Sequence, residues 1–421
     1  MLDTSYAQND RFVLYNGDCR EILRELPENS IDACVCDPPY GLEFMGKEWD
    51  KLWDSRGGQE SFKHGDIGTV RNKPTYTAGI GAQEFHESWA REVFRVLKPG
   101  GYLLAFGGAR TYHRLACAVE DAGFEIRDQI MWIYGSGFPK SMNVAIAFDK
   151  HSGVMTDRGA AFRTAGAGDH EDIQDKNGVA GIEYHRGISD LAKQWSGWGT
   201  ALKPAHEPIV VARKPLIGTV IRNVEKYGTG GLNIDDCRID LDGDYKSKPN
   251  GRPSQTGLCD NYDPVKANQP DTVGRWPANV IHDGSEEVTE LFPHTKSGAL
   301  LKHHKRTGGT PPIGTFTIRD RTGEGEFLGS EGSAARFFYC AKTSKSERGD
   351  GNTHPTVKPL ALMKYLIKLV TQPGGTVLDP FAGSGSTLIA ALEQDFNAIG
   401  IEQSEEYCEI VFNRLLERNL V

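Results

Sequence analysis

Short apolar runs alternate with apolar helical faces at the N-terminal end of the chain. Phe12–Tyr15 and Ile31–Cys36 have the composition and length of strands, and residues 20–26 between them carry apolar positions at helical spacing. The same alternation continues with a helix over 84–97, a strand over Tyr102–Phe106, a helix over 110–122 and a strand over Ile130–Ile133. Strands that alternate with helices in this way predict a parallel sheet.

The C-terminal end repeats this pattern, whereas the middle of the chain does not. The last part is predicted to contain a helix over 359–371, a strand over Thr376–Asp379, a helix over 386–394, a strand over Asn397–Glu402 and a helix over 405–418. Periodicity fades over 141–200, and Pro208–Val211 is typical of a strand. Residues 216–335 are rich in Gly and Pro, with short β-like pieces at Thr219–Val224 and Asn279–His282. The pattern therefore predicts an α/β sheet that a loop-rich insertion interrupts.

Composition and charge limit the class of protein. The chain has 421 residues, of which 38% are hydrophobic and 25% are charged, enough for two or three soluble domains. Its net charge of −9 argues against a polycation whose whole surface binds nucleic acid or membrane, although a local basic face would suffice for DNA. Residues 213–345 contain 19 Lys and Arg against 17 Asp and Glu, so the acidity lies outside this region.

Cysteine spacing and hydropathy indicate the compartment. The eight cysteines are scattered without paired CxxC motifs, so we expect no zinc ribbon, no other metal site and no disulfide scaffold. The first residues show no basic segment followed by an apolar one, and no apolar run approaches the roughly eighteen residues of a membrane span. We therefore expect a reducing, cytoplasmic location and no membrane partner.

A strand, a Gly-x-Gly turn and a helix start follow one another over Thr376–Thr387. Gly383 and Gly385 let the backbone approach a ligand closely. Glu402 ends the next strand nineteen residues beyond Gly383, the position of the acid that binds ribose hydroxyls in nucleotide sites. Leu388 replaces the third glycine of the dinucleotide motif, which favours an adenosine-containing ligand without a pyrophosphate. The alternative is a tight structural turn beside a surface Glu.

The tetrapeptide Asp37-Pro38-Pro39-Tyr40 follows a predicted buried strand, which two adjacent prolines must end. An exocyclic amine is a weak nucleophile because its lone pair is delocalised into the ring of its base. The Asp37 carboxylate and the Pro38 carbonyl can accept its two hydrogens and favour a tetrahedral nitrogen, while Tyr40 stacks on the base. The alternative is a proline-terminated strand with a solvated Asp.

These segments resemble the amino DNA methyltransferases, which transfer the methyl group of S-adenosylmethionine to adenine N6 or cytosine N4. The order of motifs is similar to that of the permuted β group. In that group the catalytic tetrapeptide, here Asp37–Tyr40 and called the catalytic corner below, comes first, and the glycine loop that binds the cofactor, here the turn at Gly383 and Gly385, comes last. The resemblance covers roughly 1–140, 200–215 and 336–421. It implies a Rossmann-like methyltransferase sheet, mostly parallel with an antiparallel hairpin, together with an irregular inserted target-recognition region.

The resemblance assigns roles to individual residues. The catalytic residues that it implies are Asp37, Pro38, Pro39 and Tyr40. The residues that it implies for the cofactor are Asp18, Cys19, Thr356, Lys358, Asp379, Phe381, Gly383, Ser384, Gly385 and Glu402. Within this set Asp18 would meet the adenine, and Thr356 and Lys358 would lie near the methionine carboxylate. Trp132 and Phe138 would line the pocket of the target base.

The resemblance also divides the chain into functional segments. It implies a catalytic half over 1–140, a loop-rich insertion over 141–200, a hairpin strand over 201–215, a target-recognition domain over 216–335 and a cofactor-binding half over 336–421.

The expected reaction is methylation of adenine N6 in double-stranded DNA. Asp at the head of the catalytic corner is commoner in adenine enzymes of this kind, whereas cytosine-N4 enzymes often carry Ser there. Cytosine N4 is the alternative target, and an RNA or protein-amide methyltransferase or an inactive DNA-binding relative is less favoured. A second copy of the chain and a companion restriction endonuclease are partners that the sequence leaves open.

Overall fold

A computed structural model describes residues 5–40, 75–137, 141–153, 187–239, 274–296, 331–341 and 357–421. The strands are β1 (Ser5–Gln8), β2 (Phe12–Asn16), β3 (Ile31–Cys36), β4 (Leu97–Phe106), β5 (Glu125–Ile133), β6 (His206–Arg213), β7 (Val280–His282), β8 (His294–Lys296), β9 (Glu331–Ser333), β10 (Tyr339–Cys340), β11 (Thr376–Asp379) and β12 (Asn397–Glu402). The helices are α1 (Cys19–Glu25), α2 (Thr75–Val96), α3 (Tyr112–Asp121), α4 (Val144–His151), α5 (Asp190–Gln194), α6 (Val220–Tyr227), α7 (Glu286–Thr289), α8 (Leu360–Val370), α9 (Ser386–Leu392) and α10 (Glu405–Glu417).

A ten-stranded sheet has the order β1-β2-β12-β11-β3-β4-β6-β5-β7-β10. The strands from β2 to β4 in this order are parallel, whereas β6 runs antiparallel to both β4 and β5. The strands β11 and β12, from the C-terminal end of the chain, lie between β2 and β3, from the N-terminal end. The predicted α/β sheet, mostly parallel with an antiparallel hairpin, is therefore confirmed, and both ends of the chain build it.

Helices cover both faces of this sheet, because successive strand residues point to opposite sides. In β3, Ala33 and Val35 pack into a core with α8 and α9, whereas Cys34 and Cys36 pack into a second core with α1, α2 and α3. All of β3 is buried, as expected for a parallel strand that is covered on both faces. In such a sheet, ligands bind at the loops that follow the carboxyl ends of the strands.

The observed bounds of β3, β11 and β12 are the predicted ones. The helix predicted over 84–97 differs, because α2 begins earlier, at Thr75, and ends at Val96. The strand β4 then begins directly at Leu97, earlier than the predicted Tyr102, and includes Pro99, Gly100 and Gly101.

The strand predicted over Thr219–Val224 is wrong, because most of this segment belongs to helix α6. The side chain of Thr219 accepts a hydrogen bond from the backbone N–H of Arg222 at 3.4 Å and begins the helix. Gly228, with φ of 73°, ends the helix in the left-handed conformation. The β-branched residues of the segment favoured a strand, and these helix ends overrode that propensity.

Tertiary contacts of Asn223 also favour the helical form of α6. Its side chain is fully buried, and its amide nitrogen donates to the carbonyl oxygens of Pro99 and Thr229, both at 2.8 Å. Its amide oxygen accepts from the backbone N–H of Ile217 at 3.0 Å. Ile221 of the same helix is 69% exposed, so α6 buries a polar residue and exposes an apolar one.

The chain divides into two compact units. The first comprises Met1–Asp50, Ala82–Gly135 and His206–Val421, and it contains the ten-stranded sheet. The described parts of the predicted target-recognition segment belong to this unit, where β7 pairs with β5.

The second unit comprises Lys51–Gly81 and Ser136–Ala205 and contains α4 and α5. There the carboxylate of Asp149 accepts from the backbone N–H groups of Ile188 and Ser189 at 2.7 and 2.9 Å. These bonds connect the end of α4 to the segment that begins α5. Across the described ranges of both units, no helix is long and apolar enough to cross a bilayer.

Candidate active site

The predicted catalytic corner and the predicted glycine loop both lie at the carboxyl ends of the parallel strands. The corner follows β3 and the loop follows β11, and these two strands are parallel neighbours, with Leu378 opposite Cys34. Glu402 ends β12 opposite Asn16 at the end of β2. Parallel neighbours keep their carboxyl ends together, so the fold brings the candidate site together from both ends of the chain.

Both carboxylate oxygens of Asp37 have partners. Oδ1 lies 2.8 Å from the hydroxyl of Tyr40, and Oδ2 lies 2.5 Å from the ammonium of Lys358. The Tyr40 hydroxyl also lies 3.1 Å from Oε2 of Glu207, and the ammonium lies 3.3 Å from that oxygen. A hydroxyl has one proton, so Tyr40 can donate to only one of the two carboxylates at a time. Two acids therefore share one phenol and one ammonium.

Lys358 is buried at the centre of this cluster, with 8% of its surface exposed. Its ammonium lies 4.8 Å from the ring centroid of Phe106 and 5.6 Å from that of Tyr40. Burial alone would lower the pKa of Lys358, but the charges of Asp37 and Glu207 outweigh it and hold the pKa above its ordinary value. Burial raises the pKa of Tyr40, and the same carboxylates raise it further. The cluster therefore contains a charged ammonium and a neutral phenol.

The β5–β6 hairpin supplies an aromatic wall beside the cluster. Trp132 lies directly opposite Glu207 in the antiparallel pair, so the two side chains share a face of the sheet. The ring centroids of Trp132 and Tyr134 are 5.1 Å apart. The buried indole Nε1 of Trp132 has no hydrogen-bond partner within the part of the chain that the structure describes. Phe138, also predicted for this wall, lies outside the described residues.

The glycine loop adopts a conformation that requires glycine. Gly383 and Gly385 have φ of 52° and 81°, and a Cβ on Gly385 would lie 2.8 Å from a methyl carbon of Val411. The carboxylate of Glu402 accepts from the backbone N–H groups of Gly383 and Ser404 at 2.8 and 2.9 Å. The predicted acid and the predicted loop are therefore in direct contact.

The other loop residues pack beneath this turn. Asp379 is buried, and burial raises its pKa to about 7 against the opposing hydrogen bonds from the Thr387 side chain and the Phe381 N–H. The Phe381 ring lies 5.3 Å from that of Trp89, edge to face. Ser384 is 4% exposed, and the guanidinium of Arg414 donates to its backbone oxygen.

Asp18 and Cys19 lie where β2 passes into α1. Asp18 caps that helix by accepting from the backbone N–H of Arg20 at 2.8 Å. Hydrogen bonds from the Arg20 side chain lower the pKa of Asp18. Burial raises the pKa of the Cys19 thiol to about 12, so it remains protonated at neutral pH.

The structure brings together most of the residues predicted for the site and adds two. Glu207 and Tyr134 were not predicted, and neither has a local motif that marks it. Glu207 is placed by the pairing of β6 with β5, and Tyr134 directly follows β5. Thr356 lies outside the described residues. Within the ranges that are described, no group of three His, Cys, Asp or Glu side chains could hold a metal ion.

Comparison with known proteins places the chain among DNA-modifying enzymes. A family model described as DNA methylase, of the N6/N4 type, matches residues 31–413. The type II methyltransferase M.HindIII of Haemophilus influenzae is 27% identical over 420 residues, which cover 96% of each chain. The type II methyltransferase M2.MboI of Moraxella bovis is 48% identical over 64 residues, 15% of this chain and 23% of that one.

Among solved structures, the chain is similar to the cytosine-N4-specific PvuII DNA methyltransferase. The TM-score is 0.47 at 13% identity, and the alignment covers 99% of this chain and 90% of that one.

Proposed function

The chain belongs to the N6/N4 DNA methylase family, and we propose that it transfers a methyl group from S-adenosylmethionine to the N6 amine of an adenine flipped out of duplex DNA. The observation that carries this proposal is the position of Asp37 and Tyr40 at the same sheet edge as the Gly383–Gly385 turn and Glu402. An amine acceptor site and an adenosine-type loop at one edge match this two-substrate reaction.

The residues around the glycine loop fit the cofactor. Gly383 and Gly385 have no side chains that would obstruct a ligand, and both adopt the left-handed backbone conformation. Glu402 is held by backbone N–H groups and keeps lone pairs for ribose hydroxyls. Asp18 would accept from the adenine, and Phe381 would supply an apolar surface. When bound, S-adenosylmethionine supplies a methyl group that its sulfonium already activates.

Asp37 and Pro38 would position the target amine. The carboxylate is an acceptor with about four lone-pair sites, so it can accept a hydrogen of the amine. The Pro38 carbonyl would accept the second hydrogen, and Tyr40 and Trp132 would contact the faces and edge of the base. Because the methyl group is already activated, alignment and exclusion of water supply most of the rate. Asp37 would accept a proton from the amine after transfer.

The choice of adenine rests on Asp37 at the head of the corner, and cytosine N4 is the alternative. Duplex DNA is the proposed partner, and residues 216–335 are proposed to read its sequence while 1–140 and 336–421 supply the catalytic and cofactor-binding halves. The proposal leaves room for a second copy of the chain and for a companion restriction endonuclease.

The experiment incubates the full chain with isotopically labelled S-adenosylmethionine and duplex DNA, digests the DNA to nucleosides and identifies the labelled product by mass spectrometry. Labelled N6-methyladenine is the expected result. Labelled N4-methylcytosine would replace the proposed target by the alternative, and label in RNA or protein but not in DNA would contradict the proposal. Sequencing the methylated DNA then gives the recognised site.

A further inference from the structure

Glu207 lies against both partners of Asp37. Its Oε2 lies 3.1 Å from the Tyr40 hydroxyl and 3.3 Å from the Lys358 ammonium. The side chain is only 20% exposed, and the pairing of β6 with β5 holds it on the face that carries Trp132. A carboxylate in this place could accept each hydrogen bond that Asp37 accepts in the described arrangement.

Among the described residues, Lys358 is the cation that contacts both Asp37 and Glu207. Two carboxylates that lie against one ammonium repel each other, and the ammonium offsets that repulsion. Among the described residues, Tyr134, Asp379 and Cys36 are titratable groups that interact electrostatically with the cluster, the last two with Asp37.

We propose that Glu207 is a positioning residue for methyl transfer, the alternative acceptor onto which Lys358 and Tyr40 turn when the target amine binds Asp37. This inference rests on the proposed function. The Tyr40 hydroxyl rotates from one acid to the other without losing its proton, and the Lys358 ammonium shifts its shorter contact from Asp37 to Glu207. Lone pairs of Asp37 are thereby released for the amine, and the ammonium stays in contact with a carboxylate.

The first test is the variant Glu207→Gln, which keeps an acceptor oxygen but removes the charge. Lys358 then remains on Asp37, so the single-turnover rate of methyl transfer at saturating cofactor should fall by about tenfold or more, a coupling of the size seen between neighbouring charged groups. The dissociation constant for S-adenosylmethionine should stay within about threefold, since the described polar contacts of Glu207 are to Tyr40 and Lys358.

The decisive test combines Glu207→Gln with Lys358→Met and measures single-turnover rates from acid to alkaline pH. Lys358→Met removes the cation that contacts both acids, and this disfavours their charged forms, so the acid limb of the rate profile should move to higher pH. Adding Glu207→Gln removes the competing acid, so the limb should move back and the double variant should be faster near neutral pH than Lys358→Met alone. A double variant no faster than Lys358→Met, with the limb unmoved, would overturn the inference.

Glu393→Gln is the matched control, because this acid also contacts two cations, Lys364 and Arg418, but lies outside the cluster. It can lower the unfolding temperature without moving the pH profile. The wild-type rate distinguishes failure of the proposed function from failure of the proposed role of Glu207. A wild type that fails to methylate DNA speaks against the proposed function, whereas an active wild type whose variants behave additively speaks against the role of Glu207.

Discussion

The ammonium of Lys358 lies 2.5 Å from a carboxylate oxygen of Asp37, although 321 residues separate the two along the chain. Asp37 follows β3 and Lys358 precedes α8, so the contact exists because both ends of the chain build one sheet. It connects the proposed catalytic corner to a residue expected at the cofactor. The hydrogen-bond partners of Asp37 therefore come from both near and distant parts of the sequence, Tyr40 and Lys358 respectively.

Asp37→Ala should reduce methyl transfer to DNA by about a hundredfold or more, the loss typical when a preorganised hydrogen-bonding group at the reacting centre is removed. Cofactor binding should remain within about threefold, because the proposed ligand of Asp37 is the target amine and its described hydrogen bonds are to Tyr40 and Lys358. Single-turnover methylation and calorimetric binding of S-adenosylmethionine measure the two quantities. Asp10→Ala, at an exposed acid, is the control. Near-normal methylation by Asp37→Ala would rule out its assigned role.

Glu402→Ala should weaken binding of S-adenosylmethionine by about 1–3 kcal/mol, roughly tenfold to a hundredfold in Kd, because ribose acceptors are lost and two N–H groups lose their partner. Glu402→Gln keeps one acceptor oxygen and should lose less. Glu417→Gln, on the exposed end of α10, should bind as the wild type does. Calorimetry measures all three, and unchanged affinity in Glu402→Ala would exclude the ribose contact.

Gly385→Ala should destabilise the fold by more than Gly374→Ala. Both glycines have left-handed φ, 81° and 72°, and a Cβ at either position lowers the free energy of unfolding by about 1 kcal/mol or more. At Gly385 the new Cβ also meets Val411 at 2.8 Å, whereas at Gly374 nothing lies within 4 Å. Urea unfolding gives the two free energies of unfolding. Equal losses would show that the contact with Val411 relaxes without cost.

Asn223→Ala should lower the free energy of unfolding by about 1–3 kcal/mol, because it removes the three hydrogen bonds of a buried side chain, to the carbonyls of Pro99 and Thr229 and to the N–H of Ile217. Ile221→Ala, on the exposed side of α6, should change it by less than about 0.5 kcal/mol. Urea unfolding of both variants checks the assignment. A larger loss in Ile221→Ala would mean that α6 is anchored by its apolar side.

Asp379 should make the protein less stable as pH rises from about 4 to about 7. Burial raises its pKa to about 7 from an ordinary value near 3.8, so the folded state holds a proton that the unfolded state has released in this window. The stabilisation is complete below the unfolded value and is lost as pH passes the folded one. Asp379→Asn removes this titration, so its unfolding free energy should fall less between pH 5 and 7.5 than that of the wild type. Parallel curves for the two proteins would contradict the shifted pKa.

Local sequence signals located the elements that carry the site. The strands β3, β11 and β12 have the predicted bounds, because a buried strand that is ended by Pro-Pro, by a Gly-x-Gly turn or by an acid has recognisable limits. The segment of α6 was predicted as a strand because it is rich in β-branched residues. It is a helix that begins after Thr219, ends at Gly228 and is held in place by the hydrogen bonds of Asn223.

The sequence by itself determined the α/β class, the Asp37 corner and the glycine loop with Glu402, since each depends on residues that are neighbours along the chain. Only the tertiary structure decided that Lys358 contacts Asp37 and that Glu207 shares its partners. Periodicity reports which face of an element is buried but not what it is buried against. The contact of Asp37 with the buried ammonium of Lys358 depends on strand order in the sheet, which brings together side chains that no local pattern connects.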